Sequence, residues 1–221
     1  MNNTFYAFGD IHGELDKLDN LVKRTYFDRD STLVFLGDYI DRGKKSFEVV
    51  EYLINLSKEF NCVFIRGNHE NMFLDYLRGI NENIYLMTCN GGKKTLKSYY
   101  KHGYSIQQSN YYLYRRLPVK HVEFFQNLKR YYETEDYIFV HAGVDPKKPL
   151  EETSDETLLW DVEFSNKTYE GKTVVYGHVA NNKILNEKYK ICIDTGAGYK
   201  SMGDLTCVKL PDRIFKRQGG I

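Results

Sequence analysis

Three short apolar runs in the first third of the chain each stop at a glycine, and each is followed at once by polar groups able to do chemistry. Residues 4–9 (TFYAFG) lead into Gly9-Asp10-Ile11-His12-Gly13, and residues 32–36 (TLVFL) into Gly37-Asp38-Tyr39-Ile40-Asp41-Arg42-Gly43. Residues 62–65 (CVFI) lead into Arg66-Gly67-Asn68-His69-Glu70. Runs this short and this rich in β-branched and aromatic residues read as buried strands. Asp10 to Asp38 is 28 residues and Asp38 to Asn68 is 30, which matches one strand–helix–strand unit of about 30 residues. The stretches between carry apolar residues at helical spacing: Leu15, Leu18, Leu21 and Val22, then Phe47, Val50, Tyr52, Leu53 and Leu56. The pattern predicts three successive parallel strands that deliver Asp10, Asp38 and Asn68 to one sheet edge, where α/β sheets bind ligands.

The rest of the chain repeats the design. Residues 137–140 (YIFV) read as a strand ending at His141-Ala142-Gly143, and residues 173–176 (TVVY) as one ending at Gly177-His178. Residues 189–194 and 205–210 alternate like half-buried strands, and Asp194 to Gly198 between them reads as a turn. A helix follows Glu70 to about Arg78, and another starts at Pro118. Residues 83–117, with Asn90-Gly91-Gly92, Thr95 and a tyrosine-rich run, read as a helical insertion walling one side of a cleft. The basic tail from Asp212 reads as loose. His102 and His121 follow no strand and read as ordinary surface residues.

Composition excludes some classes of function. A net charge of +1 and a pI near 7.6 give no bulk electrostatic attraction to nucleic acid or to a membrane surface. No run approaches the length of a membrane-spanning helix, and the strand pattern at Thr4–Phe8 leaves no room for a leader, so a cytoplasmic location is expected. Cys62, Cys89, Cys192 and Cys207 are far apart in sequence and read as reduced thiols. A chain of 221 residues without linker or repeat is expected to form a single domain over 1–221.

Asp10 and His12 are two apart, so in an extended segment both side chains point the same way. Such a pair suits one metal ion, although a turn aspartate with a capping histidine also fits. Asn68 and His69 could be a metal ligand and an acid/base group, or a helix cap and a solvated ring. Arg42 could fork onto a phosphate or pair with Asp41. Four histidines (His12, His69, His141, His178), three aspartates (Asp10, Asp38, Asp41) and Asn68 converging on one edge need a compensating cation. The oxygen and nitrogen donors suit Mn, Fe or Zn. Their number is enough for two ions, with Asp38 on the middle strand the natural bridge.

The segments GDIHG, GDYIDRG, RGNHE, HAG and GH, in this order over nearly the whole chain, resemble the metal-site signature of the phosphoprotein phosphatase family of metallophosphoesterases. The chain looks most like its small bacterial and phage-type serine/threonine phosphatases. NGG at 90–92 with Thr95 and Ser98-Tyr99, and the run Tyr131–Tyr137, are similar to the bacterial branch. The resemblance implies an α/β fold, a β-sandwich of two mixed sheets flanked by helices. It implies two divalent metal ions, manganese first and iron or zinc next. Asp10, His12 and Asp38 would hold one ion, and Asp38, Asn68, His141 and His178 the other. His69 would be the general acid, Asp41 its partner, and Arg42 and Asn68 phosphate-binding groups. The implied activity is hydrolysis of phosphoserine or phosphothreonine proteins, with phosphotyrosine also open, by direct attack of a metal-bridging hydroxide. Relatives with the same motifs cleave dinucleoside tetraphosphates symmetrically, which makes a dinucleoside polyphosphate the alternative substrate.

Two departures from the family pattern stand out. Leu159-Trp160 is followed by Asp161-Val162-Glu163-Phe164 without the usual second phosphate-binding arginine, for which Arg115 or Arg116 is a substitute to consider. Val179-Ala180 stands after His178 where Thr-Pro is usual. Two other readings compete. Cys207 and Arg213 have the C-x5-R spacing of cysteine phosphatases, but Pro211 between them lacks the N–H a phosphate cradle needs. A non-catalytic adaptor on the same fold is the other.

Overall fold

The computed structural model describes residues 4–80, 90–106, 116–199 and 203–219. The first elements are β1 (Phe5–Phe8), α1 (Leu15–Lys23), β2 (Thr32–Phe35), α2 (Ser46–Leu56), β3 (Asn61–Phe64) and α3 (Asn68–Leu77). Then come α4 (Gly92–Lys101), α5 (Val119–Gln126), β4 (Tyr131–Glu133), β5 (Tyr137–Val140) and α6 (Asp155–Trp160). The chain continues through β6 (Thr173–Tyr176), β7 (Leu185–Asn186), β8 (Lys190–Cys192), β9 (Leu205–Leu210) and β10 (Ile214–Gln218).

The strands form two five-stranded mixed sheets, in the orders β10-β9-β1-β2-β3 and β4-β5-β6-β8-β7. The expected parallel start is present, with Phe5 beside Thr32 and Thr32 beside Asn61 in register. The second sheet has its own parallel core, β5-β6-β8. Period-2 geometry sorts each strand into two faces. Phe5, Ala7, Val34, Leu36, Phe139, Val175 and Ile191 pack between the sheets. Tyr6, Phe8, Leu33 and Phe35 face the opposite way and pack with residues of α1–α5. Ile138, Val140, Val174 and Tyr176 pack with Leu158 and Phe164 on the outer side of the second sheet. Burial on both faces is why the strands read as continuous apolar runs.

Two expectations change, at the tail and at His121. The tail from Asp212 is not loose: β10 pairs antiparallel with β9, Phe215 opposite Val208. Within the 83–117 insertion, α4 packs on α2, while Tyr111, Tyr112, Tyr114 and Arg115 lie outside the described residues. His121 is fully buried rather than on the surface. It accepts from Tyr99 Oη at 2.8 Å through Nδ1 and donates from Nε2 to Glu51 Oε1 at 2.9 Å. His102 is partly exposed and stacks on Phe47, ring centroids 4.0 Å apart. No helix among the described residues is long and apolar enough to cross a membrane.

Burial drives the His121 pKa down from 6.5 to about 4, against the pull of Glu51. Between those values the unfolded chain holds a proton on this ring that the folded chain does not, so stability falls as the pH falls through the window. The loss attributable to His121 is at most about 3 kcal/mol. Urea unfolding of wild type and His121→Gln between pH 7 and pH 4 is expected to show the shallower pH dependence in the variant; parallel curves would mean that His121 titrates normally.

Candidate active site

The carboxyl ends of six strands meet where the two sheets face each other. Asp10 and His12 follow β1, Asp38 follows β2, and Asn68 and His69 open α3 just after β3. His141 follows β5, His178 follows β6, and Asp194 follows β8. Asp38 is at the centre. Its Oδ2 lies 3.5 Å from His12 Nε2 and 3.8 Å from His69 Nε2, and its Oδ1 lies 3.4 Å from His141 Nε2. Asp10 Oδ2 is 4.0 Å from His12 Nε2. The donor atoms form two groups that share Asp38: His12, Asp38 and His69, and Asp38, His141 and His178. All but His178 are fully buried.

Local backbone geometry aims these groups. The loop after β1 is laced to the loop after β2: Ile11 and His12 N–H donate to the Asp38 carbonyl, and Gly13 N–H to that of Tyr39. The Glu70 carboxylate, buried at the start of α3, accepts N–H bonds from Asp38 and Tyr39 at 2.8 Å, Gly67 at 3.1 Å and Ile40 at 3.3 Å. His12, Asp38, Asp41, Arg42 and His178 all adopt positive φ, from 49° to 71°, a region that disfavours side-chain-bearing residues by about 1–2 kcal/mol each. Gly177 admits only hydrogen: a Cβ there would strike Asp10 Oδ1.

Ring tautomers are fixed from behind. His12 Nδ1 donates to the Ile40 carbonyl and His141 Nδ1 to the Leu36 carbonyl, each at 2.9 Å. A carbonyl only accepts, so the neutral rings turn their Nε2 lone pairs inward, the arrangement a metal-ligating histidine needs. Burial lowers the pKa of His12 and His141 and brings that of His178 to about 4, which keeps the rings neutral. Burial opposes ionisation of Asp38, but positive charge on the surrounding rings, when His141, His69 or His12 is protonated, outweighs it and lowers its pKa. Asp10 is raised by burial and then by Asp194 and Asp38.

His69 differs. Burial opposes its charge, but Asp38 and the hydrogen bond to Asp41 prevail and raise its pKa. Its Nδ1 donates to Asp41 Oδ2 at 2.7 Å, while Nε2 is buried with no hydrogen-bond partner.

The donor set fits cations. One polar atom of the Asn68 amide sits 3.1 and 3.2 Å from the Asp38 oxygens and 3.0 Å from His141 Nε2. With nitrogen there, the amide donates; with oxygen there, four acceptors converge, which only a cation stabilises. Carboxylate, amide and imidazole donors with no thiolate suit Mn, Fe or Zn.

A family model for calcineurin-like phosphoesterases matches residues 4–214. The chain belongs to that family. It is 28% identical to a bis(5'-nucleosyl)-tetraphosphatase of the asymmetrical type from Oceanobacillus iheyensis, over 94% of this chain and 88% of the relative. It is 26% identical to a symmetrical bis(5'-nucleosyl)-tetraphosphatase from Buchnera aphidicola, over 96% of this chain and 66% of that one. The crystal structure of a candidate diadenosine tetraphosphatase superposes with a TM-score of 0.72 at 20% identity, covering 99% of this chain and 94% of the other. These two mixed sheets flanked by helices are the calcineurin-like phosphoesterase fold.

In this calcineurin-like phosphoesterase, Arg42 Nη1 lies 2.8 Å from His12 Nε2, and its guanidinium carbon stands 4.3 Å from the centre of the Tyr199 ring. Just after Leu159-Trp160, where no arginine stands, Asp161 pairs with Lys167 at 2.5 Å. Arg116 reaches the Ser105 carbonyl at 3.5 Å. Cys207 is buried on β9 and Arg213 engages the carbonyls of Glu187 and Lys188, so the two do not form a phosphate cradle.

Sequence reasoning missed two groups. Glu70 stood inside a recognised motif but had no assigned role. Asp194, expected in a turn, is buried at the end of β8, its Oδ1 accepting from Gly196 N–H at 2.9 Å and its Oδ2 unpartnered. The repeated pattern of apolar strand followed by polar residue was the available signal for Asp194.

The left-handed backbone at Arg42, with φ of 58°, gives a stability test. Arg42→Gly is expected to be more stable than Arg42→Ala by about 1 kcal/mol in urea unfolding. Equal stabilities would show that the turn is not strained.

Proposed function

We propose that this chain is a dimetal hydrolase that cleaves a phosphoanhydride bond of dinucleoside polyphosphates. The reading of the reaction is carried by the sharing of Asp38 between two donor groups, the arrangement a bridging carboxylate needs when two ions clamp an in-line displacement at phosphorus. Asp10, His12 and Asp38 would hold one ion, and Asp38, Asn68, His141 and His178 the other. When bound, the two cations supply Lewis acidity toward the phosphoryl oxygens and make water a nucleophile at neutral pH. The choice of substrate is supported by the two curated relatives, both bis(5'-nucleosyl)-tetraphosphatases, and it moves the protein-phosphatase expectation to second place.

The remaining steps belong to the chain's own residues. Arg42, at the mouth of the centre, forks onto the phosphoryl oxygens and steadies the charge spread over them in the transition state. Asp41 holds His69 Nδ1–H and favours the imidazolium, which leaves Nε2–H aimed at the centre as proton donor to the departing oxygen. A phosphate leaving group, with a pKa of about 6, needs that proton far less than a serine alkoxide does.

Three measurements test this reading. The manganese-loaded protein is expected to release product faster from diadenosine tetraphosphate than phosphate from a phosphoserine peptide, with the nucleotide products (two ADP, or ATP and AMP) giving the bond cleaved. Faster turnover of the peptide would restore the protein-phosphatase reading. His69→Asn is expected to retain its metal and to lose about 10²–10⁴-fold in kcat on an alkyl phosphate, with a smaller loss on the dinucleotide; unchanged alkyl phosphate turnover would remove His69 as the acid. Elemental analysis after manganese loading is expected to give one ion per chain for His178→Ala and none for Asp38→Ala, and two ions in Asp38→Ala would exclude the bridge.

A further inference from the structure

The start of the insertion helix α4 is built onto the acid side of the site. Thr95 is fully buried, as are Ser46, Asp41 and His69. The Thr95 hydroxyl donates to Asp41 Oδ1 at 2.5 Å, while Asp41 Oδ2 receives His69 Nδ1–H at 2.7 Å. The same hydroxyl oxygen accepts the Asp41 backbone N–H at 2.9 Å and lies 3.0 Å from Ser46 Oγ. A hydroxyl has one proton and two lone pairs, so all three positions of Thr95 are engaged. Its single proton goes to the one Asp41 oxygen that His69 does not use.

The same turn also braces the neighbouring residue. Lys94 Nζ donates to the Arg42 carbonyl. Gly91, at φ 94°, presses on the Arg42 N–H so closely that a Cβ there would overlap it. Asp41 and Arg42 are the adjacent pair held at φ 71° and 58°, and residues 91–95 close over both. This gives a physical reason for the Asn90-Gly91-Gly92 to Thr95 pattern, which the metal centre leaves unexplained.

We propose that Thr95 is a positioning residue for the His69–Asp41 pair, and that the first turn of α4 is part of the proton-donating machinery. The proposal rests on the reading of His69 as proton donor. Held at both oxygens, the Asp41 carboxylate cannot rotate, and the His69 ring keeps Nε2 on the line to the leaving oxygen. With valine at 95, the Asp41 N–H and Oδ1 lose this partner, the carboxylate turns, and the ring turns with it.

The test compares Thr95→Val and Thr95→Ser in the manganese-loaded protein on phenyl phosphate and on p-nitrophenyl phosphate, whose leaving group needs little protonation. Thr95→Val is expected to lose roughly tenfold or more in kcat on phenyl phosphate, a fraction of the full general-acid contribution. On p-nitrophenyl phosphate it is expected to lose much less, with KM within about twofold of wild type on both. Thr95→Ser, which keeps the hydroxyl, is expected to recover phenyl phosphate turnover. Equal losses on the two substrates, or no recovery with serine, would make Thr95 structural only and overturn the proposal.

The second arm needs no turnover: the downfield proton resonance of His69 Nδ1–H, identified by its loss in His69→Asn, is expected to shift or broaden in Thr95→Val and persist in Thr95→Ser. An unchanged resonance in Thr95→Val overturns the proposal. A wild type that cleaves neither these esters nor diadenosine tetraphosphate overturns the reading of the reaction, while this arm still decides the role of Thr95. Thr95→Ala, which adds no bulk beside Ser46, takes the place of valine if the latter does not fold by circular dichroism.

Discussion

The buried carboxylate of Glu70 is the interaction on which the site's geometry rests. It gathers four backbone N–H groups, three from the loop after β2 and one from the end of β3. Without it, those donors would be buried unpaired, at about 1–3 kcal/mol each. Burial and the neighbouring Asp38 raise the Glu70 pKa; the N–H groups, all donors, favour the ionised form. One acid thus ties two strand ends together and sets Asp38 facing the histidines. The positive φ angles along Asp38, Asp41 and Arg42 are sustained because this network and the α4 turn hold the loop from both sides.

Charge organises the next layer. Burial opposes ionisation of Asp10, Asp38, Glu70 and Asp194, yet the cleft sorts them. Protonated rings around Asp38 favour its ionised form, while burial and then the neighbouring carboxylates raise the pKa of Asp10, and burial and then Asp38 raise that of Asp194. The histidines are sorted too. His12 and His141 have their Nδ1 protons committed to carbonyls and face inward as bases, whereas His69 has its proton committed to a carboxylate and faces inward as an acid. In the proposed roles, the partner behind each ring, rather than its distance from Asp38, would separate a metal ligand from a proton donor.

Much of this was readable in the sequence because the site is assembled from strand ends. Asp10, Asp38, Asn68, His141 and His178 each follow a short apolar run at once, and such runs are legible when both strand faces are buried. The second sheet came only through family resemblance, because its shorter strands carry no interval regularity. What sequence could not reveal depended on distant partners. Three of the four N–H groups that Glu70 binds lie some thirty residues away, which no local pattern encodes. His121 looked like a surface residue because burial of a histidine on α5 depends on Tyr99 and Glu51 from two other helices. β10 reads as a basic tail because an edge strand with exposed Ile214 and Arg217 has no buried face to impose alternation. Asp194 was taken for a turn because its Thr-Gly-Ala-Gly sequel has turn composition.

The pairing of β1 with β9 has a consequence for how the chain is made. Phe5 lies opposite Leu210 and Phe8 opposite Cys207, so β1 pairs with segments both soon after it and some two hundred residues later. During synthesis β1 and β2 can meet early, but the other edge of β1 stays open until residues 205–210 have left the ribosome. At about 5–20 residues per second, that leaves an apolar strand edge unpaired for roughly ten to forty seconds. Sequence separation on this scale slows folding and gives the nascent chain a window in which an exposed edge can recruit another chain. The arrangement that brings acids and histidines from both sheets to one rim therefore makes the fold a late one, completed only once residues 205–210 have joined it.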